Sequence, residues 1–293
     1  MSATVGFVVL DLNQSDTTFR CLNSIADGTQ LPEMVVLVEN GESGLSDEQV
    51  ASLREDLQLV ILRPSSNLGC AGGRNLGMNY LYENTEISRF ATLDNDIVMP
   101  TDFVSVLKDQ ELDELDLLAP VIMDFDGESV WSSGGTINPD GEITQLEEEP
   151  PEPSGRFDVD WSPGACLIIH RSTWDQVGEF DEWIDFLYED LEWCHRIQEQ
   201  GGNVQICSEL RLRHEPHGSL GGEWSPTRVR FWARNGTFFR MYTLNYSIGP
   251  LAEWLKQELK LAIRDLYTGR FVWTVERMKG LGQGLLETFR RRN

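Results

Sequence analysis

The feature that most constrains the fold is an alternation repeated over the first hundred residues. Short, continuous apolar runs recur at residues 5–10 (VGFVVL), 34–38 (MVVLV), 57–62 and 90–93, and polar residues follow the first, second and fourth closely. Runs of this length, without a polar residue at every second place, suit strands buried on both faces, as parallel strands are. Helical patterns lie between them. After Ser15, read as a helix cap, Phe19, Leu22 and Ile25 form an apolar stripe. Residues 72–82 read as a second helix. Repeated βα units favour an open, mostly parallel sheet flanked by helices, an α/β fold.

The middle of the chain changes character. Residues 130–136 (VWSSGGT) are β-prone, and residues 138–156, rich in Pro, Gly and Glu, read as a surface loop. Residues 165–169 (ACLII) read as a strand, and residues 189–200 as a helix that Gly201 and Gly202 stop. Residues 204–207 and 210–213 are two further short strand candidates. From Pro250 onward, Leu251, Leu255, Leu259, Ile263 and Leu266 recur at helical spacing. The expected organisation is a catalytic domain over residues 1–249 and a helical appendage over 250–293.

Charge narrows the partners. The chain carries a formal −24, with only four lysines against twenty arginines. A backbone of phosphates needs basic patches, so nucleic acid is not an expected partner. Such a charge suits a high-salt cytoplasm, where screening acts over a few Å, or simply an acidic protein. The distribution is uneven. Residues 250–293 hold nine Lys/Arg and five Asp/Glu, leaving −28 on the remainder. That segment is read as a helical hairpin packed on the catalytic domain, with a homodimer contact or peripheral contact with an anionic membrane as further options.

Five scattered cysteines without a C-x-x-C pair argue against both a disulfide framework and a zinc knuckle, and suit a reducing cytoplasm. No signal peptide and no membrane-spanning run is read in the sequence. The expected location is cytoplasmic, with the cytoplasmic face of the membrane as a candidate peripheral site.

In open α/β sheets, ligands gather beyond the carboxyl ends of the strands. By that rule Asp11, Asn13, Glu39, Asn40, Asn67, Asp94 and Asp96 converge on one crevice. Asp94 and Asp96 flank Asn95, and alternate side chains of an extended chain share a face. Two such carboxylates either close a turn or grip a cation, and oxygen ligands suit Mg²⁺ or Mn²⁺. In NLGCAGGRNLG, the glycines Gly69, Gly72 and Gly73 let backbone approach a ligand, and a helix start there can face an anion. Glu189 and Asp190 stand at a helix start, where the dipole favours ionised carboxylates and a general base can sit. Trp193 and Ile197 read as packing residues, with Trp193 kept as a candidate acceptor contact. His214 closes the strand-like LRLRH, with His217 and Ser219 just beyond, and can complete a cation site or bind a diphosphate.

Taken in series, VGFVVLDLNQSD, VENG, NLGCAGGRNLG, LDND, PGACLIIHR, GEFDEWIDFLYEDLEWCHRIQEQG, RLRH and FWARN resemble family 2 glycosyltransferases, in particular their rhamnosyltransferase-like branch. The resemblance covers roughly residues 5–245. It implies a GT-A-type fold and inverting sugar transfer from a nucleoside-diphosphate sugar to a glycan or lipid-linked acceptor. It also implies residue roles. Glu39 replaces the family's aspartate at the nucleobase, and Asn67, Gly69, Gly72, Arg74 and Asn75 line the donor, with Arg74 directed at a phosphate. Asp94 faces ribose and metal, Asp96 and His214 the metal, with Mn²⁺ or Mg²⁺ as cofactor. Asp190 is the base, Glu189 holds the acceptor, and Gly164 and Trp193 are acceptor-side candidates. A sugar-phosphate nucleotidyltransferase and a non-catalytic nucleotide-sugar-binding protein stand as the competing readings.

Overall fold

In the computed structural model the first three apolar runs become adjacent parallel strands. Residues 3–139, 141–215, 225–246 and 248–293 are described; His217 and Ser219 lie outside them. The chain opens with β1 (Val5–Asp11), α1 (Ser15–Ala26), β2 (Met34–Glu39), α2 (Asp47–Asp56), β3 (Leu59–Leu62), α3 (Gly69–Asn84), β4 (Arg89–Asp94), β5 (Ile97–Val98) and α4 (Phe103–Asp109). Then follow β6 (Leu117–Asp124), β7 (Val130–Ser132), β8 (Gly135–Ile137), β9 (Ile143–Gln145), β10 (Arg156–Asp158), β11 (Cys166–His170), α5 (Arg171–Val177), α6 (Glu189–Glu199) and β12 (Val204–His214). The last elements are α7 (Pro226–Phe238), a π-helical turn (Phe239–Thr243), α8 (Ile248–Tyr267) and α9 (Phe271–Arg292).

Two compact units divide the chain. The first holds the main sheet, in the order β10-β12-β6-β11-β4-β1-β2-β3, with β5 beside β12 and β7 beside β6. β1 pairs in parallel with β2 and β4, while β11 runs antiparallel to β4 and β6, so the sheet is mixed. Its core strands are buried along nearly their whole length, which explains their unbroken apolar sequences.

Three local findings differ from the sequence reading. Residues 204–207 and 210–213 belong to one strand, β12, and the run LLAPVIMD forms β6 beside it. Pro120 hides β6, because proline cannot donate to a ladder. The ladder accommodates it with an irregularity: Cys207 pairs with Pro120, then Arg211 with Val121. At α1 the cap is Gln14, not Ser15, and no side chain caps it. Asp11 serves that turn instead, accepting from the Gln14 amide and the Thr18 hydroxyl. Helix α3 begins at Gly69, three residues earlier than read.

The second unit holds Ile137–Thr144, Phe186–Tyr188 and the helices α7 to α9. It therefore begins well before residue 250. Helix α9 lies so close to α7 that a Cβ on Gly280 would sit 2.3 Å from the Arg230 carbonyl. Arg277 is buried between α8 and α9, where it pairs with Glu258 at 2.6 Å and Asp265 at 3.1 Å. Asn235 of α7 donates to the carbonyls of Phe186 and Leu187. Leu187 and Tyr188 both adopt left-handed backbone (φ 64 and 73), which non-glycine residues seldom do.

Candidate active site

All the site residues below belong to the sheet unit. They sit where strands end, and hydrogen bonds link one strand end to the next. Beyond β1, Asn13 adopts φ 58, and its side-chain oxygen accepts from the amides of Glu42 and Ser43 at 2.8 and 2.9 Å. Beyond β2, Asn40 donates to Asn67 and to the Gly69 carbonyl, and accepts from the Leu68 amide. Gly69 has φ 74, and a Cβ there would strike the Asp185 carbonyl at 2.8 Å, so this turn needs glycine. Asp11, Asn13, Glu39, Asn40, Asn67 and Asp94 thus stand at or just beyond strand ends, with Asp11, Glu39 and Asn40 buried.

Asn95 explains how the LDND turn is held. Its amide donates to Asp11 Oδ1 at 3.2 Å and to the Thr18 hydroxyl at 2.8 Å. Asp11 is 1 % exposed. Burial raises its carboxyl above the usual range, against the hydrogen bonds of Thr18 and Gln14. Asp11 therefore supports the turn from behind. Neither Thr18 nor Asn95 was among the predicted site residues.

Asp94 and Asp96 flank that Asn, and β12 brings His214 to them. The pairing of β5 with β12 sets His214 opposite Ile97, and the Glu215 amide donates to the Asp96 carbonyl at 2.8 Å. His214 Nε2 then lies 3.0 Å from Asp96 Oδ1, and the Trp131 ring meets the imidazole edge-on. One ligand atom each from Asp94, Asp96 and His214 can be chosen so that all lie within 4.8 Å of one another. Two carboxylates and an imidazole, with His214 Nδ1 buried and lacking a hydrogen-bond partner among the described residues, make a donor set that fits Mg²⁺ or Mn²⁺. Burial opposes protonation of His214, but the hydrogen bond and charge of Asp96, with Asp94 and Asp124, raise its pKa overall.

The second carboxylate pair lies at the start of α6. Asp190 is oriented at both oxygens: Oδ1 accepts from the Leu191 amide at 2.8 Å and Oδ2 from the Gly164 amide at 3.0 Å. Glu189 is buried, and its Oε1 accepts from Arg74 at 2.7 Å. Burial first, and then the neighbouring charge of Asp190, push Glu189 up to about 7, against the pull of Arg74. Burial also raises Asp190, while Arg74 and the Leu191 and Gly164 amides hold it down.

Arg74 joins the two pairs. Only 3 % of its side chain is exposed, yet it reaches Asp94 at 2.9 Å, Glu189 at 2.7 Å and the Gly164 carbonyl at 3.1 Å. A Cβ on residue 164 would lie 2.5 Å from this guanidinium, so glycine is required for the approach. The fork of donors that makes arginine fit carboxylates is used inward here.

The remaining residues expected at the ligand have these surroundings. Arg74, expected at a phosphate, pairs with Asp94 and Glu189. Asn75 is buried, exchanging hydrogen bonds with the backbone of Phe180. Gly72 packs beneath Leu68 and Glu182. Glu39, 3 % exposed, holds the Leu45 amide at 2.7 Å and Arg63 at 2.5 Å. Trp193 is fully buried, its ring tilted 4.2 Å from Phe180 and bonded to the Gly178 carbonyl, in the packing role that its spacing with Ile197 indicated. Gly164 stays at the site through its backbone.

The mixed α/β sheet flanked by helices has a GT-A-type fold, with the Asp-Asp-His set at its strand ends and the oriented carboxylate Asp190 on α6. The sequence pattern of glycosyl transferase family 2 matches residues 8–159, more than half of the chain, and the chain belongs to that family. The low-salt glycan biosynthesis hexosyltransferase Agl10 of Haloferax volcanii is 24% identical over 184 residues, 61% of this chain and 58% of Agl10. This chain thus spans little more than half of that relative's length. The N-acetylglucosaminyl-diphospho-decaprenol L-rhamnosyltransferase of Mycobacterium tuberculosis is 27% identical over 224 residues, 68% of this chain and 72% of that enzyme. The fold resembles that of the mannosyltransferase PcManGT from Pyrobaculum calidifontis, solved with GDP-Man and Mn²⁺. The TM-score is 0.55 at 12% identity, over 100% of this chain and 89% of that one.

Proposed function

We propose that this chain is an inverting, metal-dependent glycosyltransferase that moves a hexosyl-type sugar from a nucleoside-diphosphate sugar to a hydroxyl acceptor. The reading extends to the assembly of a cell-surface glycan, glycolipid or glycoprotein glycan. It is carried by one observation: Arg74 ties the carboxylate of the cation set, Asp94, to Glu189, the neighbour of the oriented carboxylate Asp190. That link couples the cation set to the carboxylate pair, which supports a site built for chemistry.

Asp94, Asp96 and His214 would hold the divalent cation, Mn²⁺ or Mg²⁺, which supplies Lewis-acid charge at the donor's diphosphate. Asp190 accepts the proton of the acceptor hydroxyl. The freed oxygen forms a bond to the anomeric carbon as the bond to the diphosphate oxygen breaks on the opposite face. The nucleoside diphosphate departs with the bonding pair. A single displacement inverts the configuration and needs no second carboxylate nucleophile, unlike a double displacement. Glu189, held by Arg74, lies beside the acceptor oxygen. The relative named for a diphospho-decaprenol substrate supports a lipid-linked acceptor.

Thermal-shift measurements with a panel of nucleotide-sugars in Mn²⁺ and in Mg²⁺ identify the donor. NMR of the product then reads the anomeric configuration, and retention would overturn the inverting mechanism. Asp96→Ala is expected to weaken metal-dependent donor binding on the order of 10–100-fold, since even the outer partners of metal ligands carry that much affinity. Calorimetry with and without Mn²⁺ checks this, and equal binding in both removes Asp96 from the metal role.

The charge of −24 and a relative from a halophile support a high-salt working environment. Dialysis from molar salt to low salt should lower the unfolding midpoint, as self-repulsion is unscreened. An unchanged midpoint would leave only an acidic protein.

A further inference from the structure

The helical unit carries a surface that the transfer reading does not use. On α8, Leu259, Ile263 and Tyr267 recur at four-residue spacing and are exposed, Tyr267 at 89 %. On α9, Phe271, Val275, Met278, Leu286 and Phe289 follow i+3/i+4 steps and are all more than half exposed. Gly282 completes that stripe, and a Cβ there would meet nothing within 4 Å. The buried face of α9 is the other one, through Arg277, Gly280, Leu281, Gly284 and Thr288. The α9 stripe therefore runs the length of the helix without a partner among the described residues. Tyr267, Phe271 and Val272 crowd the turn that joins the two helices. A contiguous apolar patch of this kind marks an interaction site.

Charge decides what covers it. Of the five acidic residues after Pro250, Glu258, Asp265 and Glu287 are buried. The side chains of Lys256, Arg264, Lys279 and Arg290 are all more than half exposed. Arg277 matches Glu258 and Asp265 internally, and although Lys256 and Lys279 pair with Glu253 and Glu276, exposed cations outnumber exposed acids on the hairpin. Beside the turn a cavity of about 580 Å³ is lined by Arg264, Arg270 and Arg277 with Trp232 and Trp273. Arg270 lies 4.5 Å above the Trp273 ring, and Arg277 Nε has no hydrogen-bond partner among the described residues. A second copy of this chain would bring the same cationic face against it. An apolar stripe bordered by arginine and lysine instead fits the interface of an anionic bilayer, lying in its plane. Among the described residues no helix is long and apolar enough to cross a membrane, so the contact is peripheral.

We propose that the α8–α9 hairpin docks on an anionic phospholipid bilayer, with Tyr267 and Phe271 entering the acyl boundary and the exposed Arg264 and Arg270 at the cavity taking a lipid phosphate. The proposal goes beyond the transfer reading and is tested without turnover. The full chain is floated with vesicles of phosphatidylcholine alone or of equal parts phosphatidylcholine and phosphatidylglycerol. Binding to the anionic vesicles should exceed binding to the neutral ones by on the order of tenfold or more, as about 1 kcal/mol per basic residue near the surface implies. Tyr267→Ser with Phe271→Ser, both at exposed positions, should weaken anionic binding by on the order of tenfold, with circular dichroism unchanged. Arg264→Glu with Arg270→Glu should abolish the preference for anionic lipid. Equal or absent binding to both vesicle types overturns the proposal. So does a solution dimer that the Tyr267/Phe271 double variant splits, which would make a second copy the occupant.

Discussion

Asp190→Asn should abolish measurable sugar transfer while nucleotide-sugar binding stays nearly intact. A positioned general base contributes about 10²–10⁴-fold, and the amide cannot accept the acceptor's proton. The substitution is not silent locally. Both Asp190 oxygens accept backbone amides, from Leu191 and Gly164, and asparagine can satisfy only one of them. The lost bond costs about 1 kcal/mol, too little to unfold the chain. Transfer is read by release of nucleoside diphosphate in the presence of acceptor, and binding by calorimetry. Full turnover in this variant removes Asp190 as the base. In the unmodified chain burial raises both carboxyls, Glu189 to about 7. The rate should therefore fall as pH drops and Asp190 takes up a proton, in a range above that of a free aspartate.

Arg74→Met should produce the largest loss of stability of any change at the site. Removing one partner from a buried ion pair costs about 3–5 kcal/mol, because the other charge stays behind. Asp94 is 35% exposed and can hydrate, which places the loss toward the lower end. Glu189, at 7% exposure, cannot. Its pKa already lies above the unfolded value, and loss of Arg74 raises it further. The folded variant then binds more protons than the unfolded chain between those values, so its stability falls as pH rises. Urea unfolding at about pH 6 and about pH 8 should show the larger deficit at the higher pH. Arg74→Lys keeps a charge but not the fork, and should recover part of the loss. Equal stability of Arg74→Met and the parent would mean that the guanidinium does not join the two carboxylate pairs.

The contrast between Arg74 and Asp94 shows how far the sequence can be read. Strand ends were legible because a strand buried on both faces needs an unbroken apolar run, and its last residue is marked where polarity returns. Asp11, Glu39 and Asp94 were found that way. The direction in which a long side chain points is set by packing that no local pattern records. The carboxylate and amide partners of Arg74 and Glu39 were therefore not legible. Trp193 is the opposite case, since its helical spacing with Ile197 did point to packing and both are buried. Strand β6 was lost for another reason. Pro120 interrupts the expected hydrogen-bonding pattern, and the irregularity in β12 that absorbs it lies far along the chain. The boundary read at residue 249 follows the extent of the family resemblance, whereas contacts group α7 with α8 and α9.

The cation set closes only through the pairing of β5 with β12. Asp94 and Asp96 leave the ribosome long before His214, and the loop between them must close before the three ligands meet. A nascent chain therefore carries two mutually repelling carboxylates until its last strand docks. A cation that prefers the finished trio would favour that late closure over earlier, partly paired arrangements. High-affinity metal uptake then becomes a mark of completed assembly, and a chain halted before β12 would lack it.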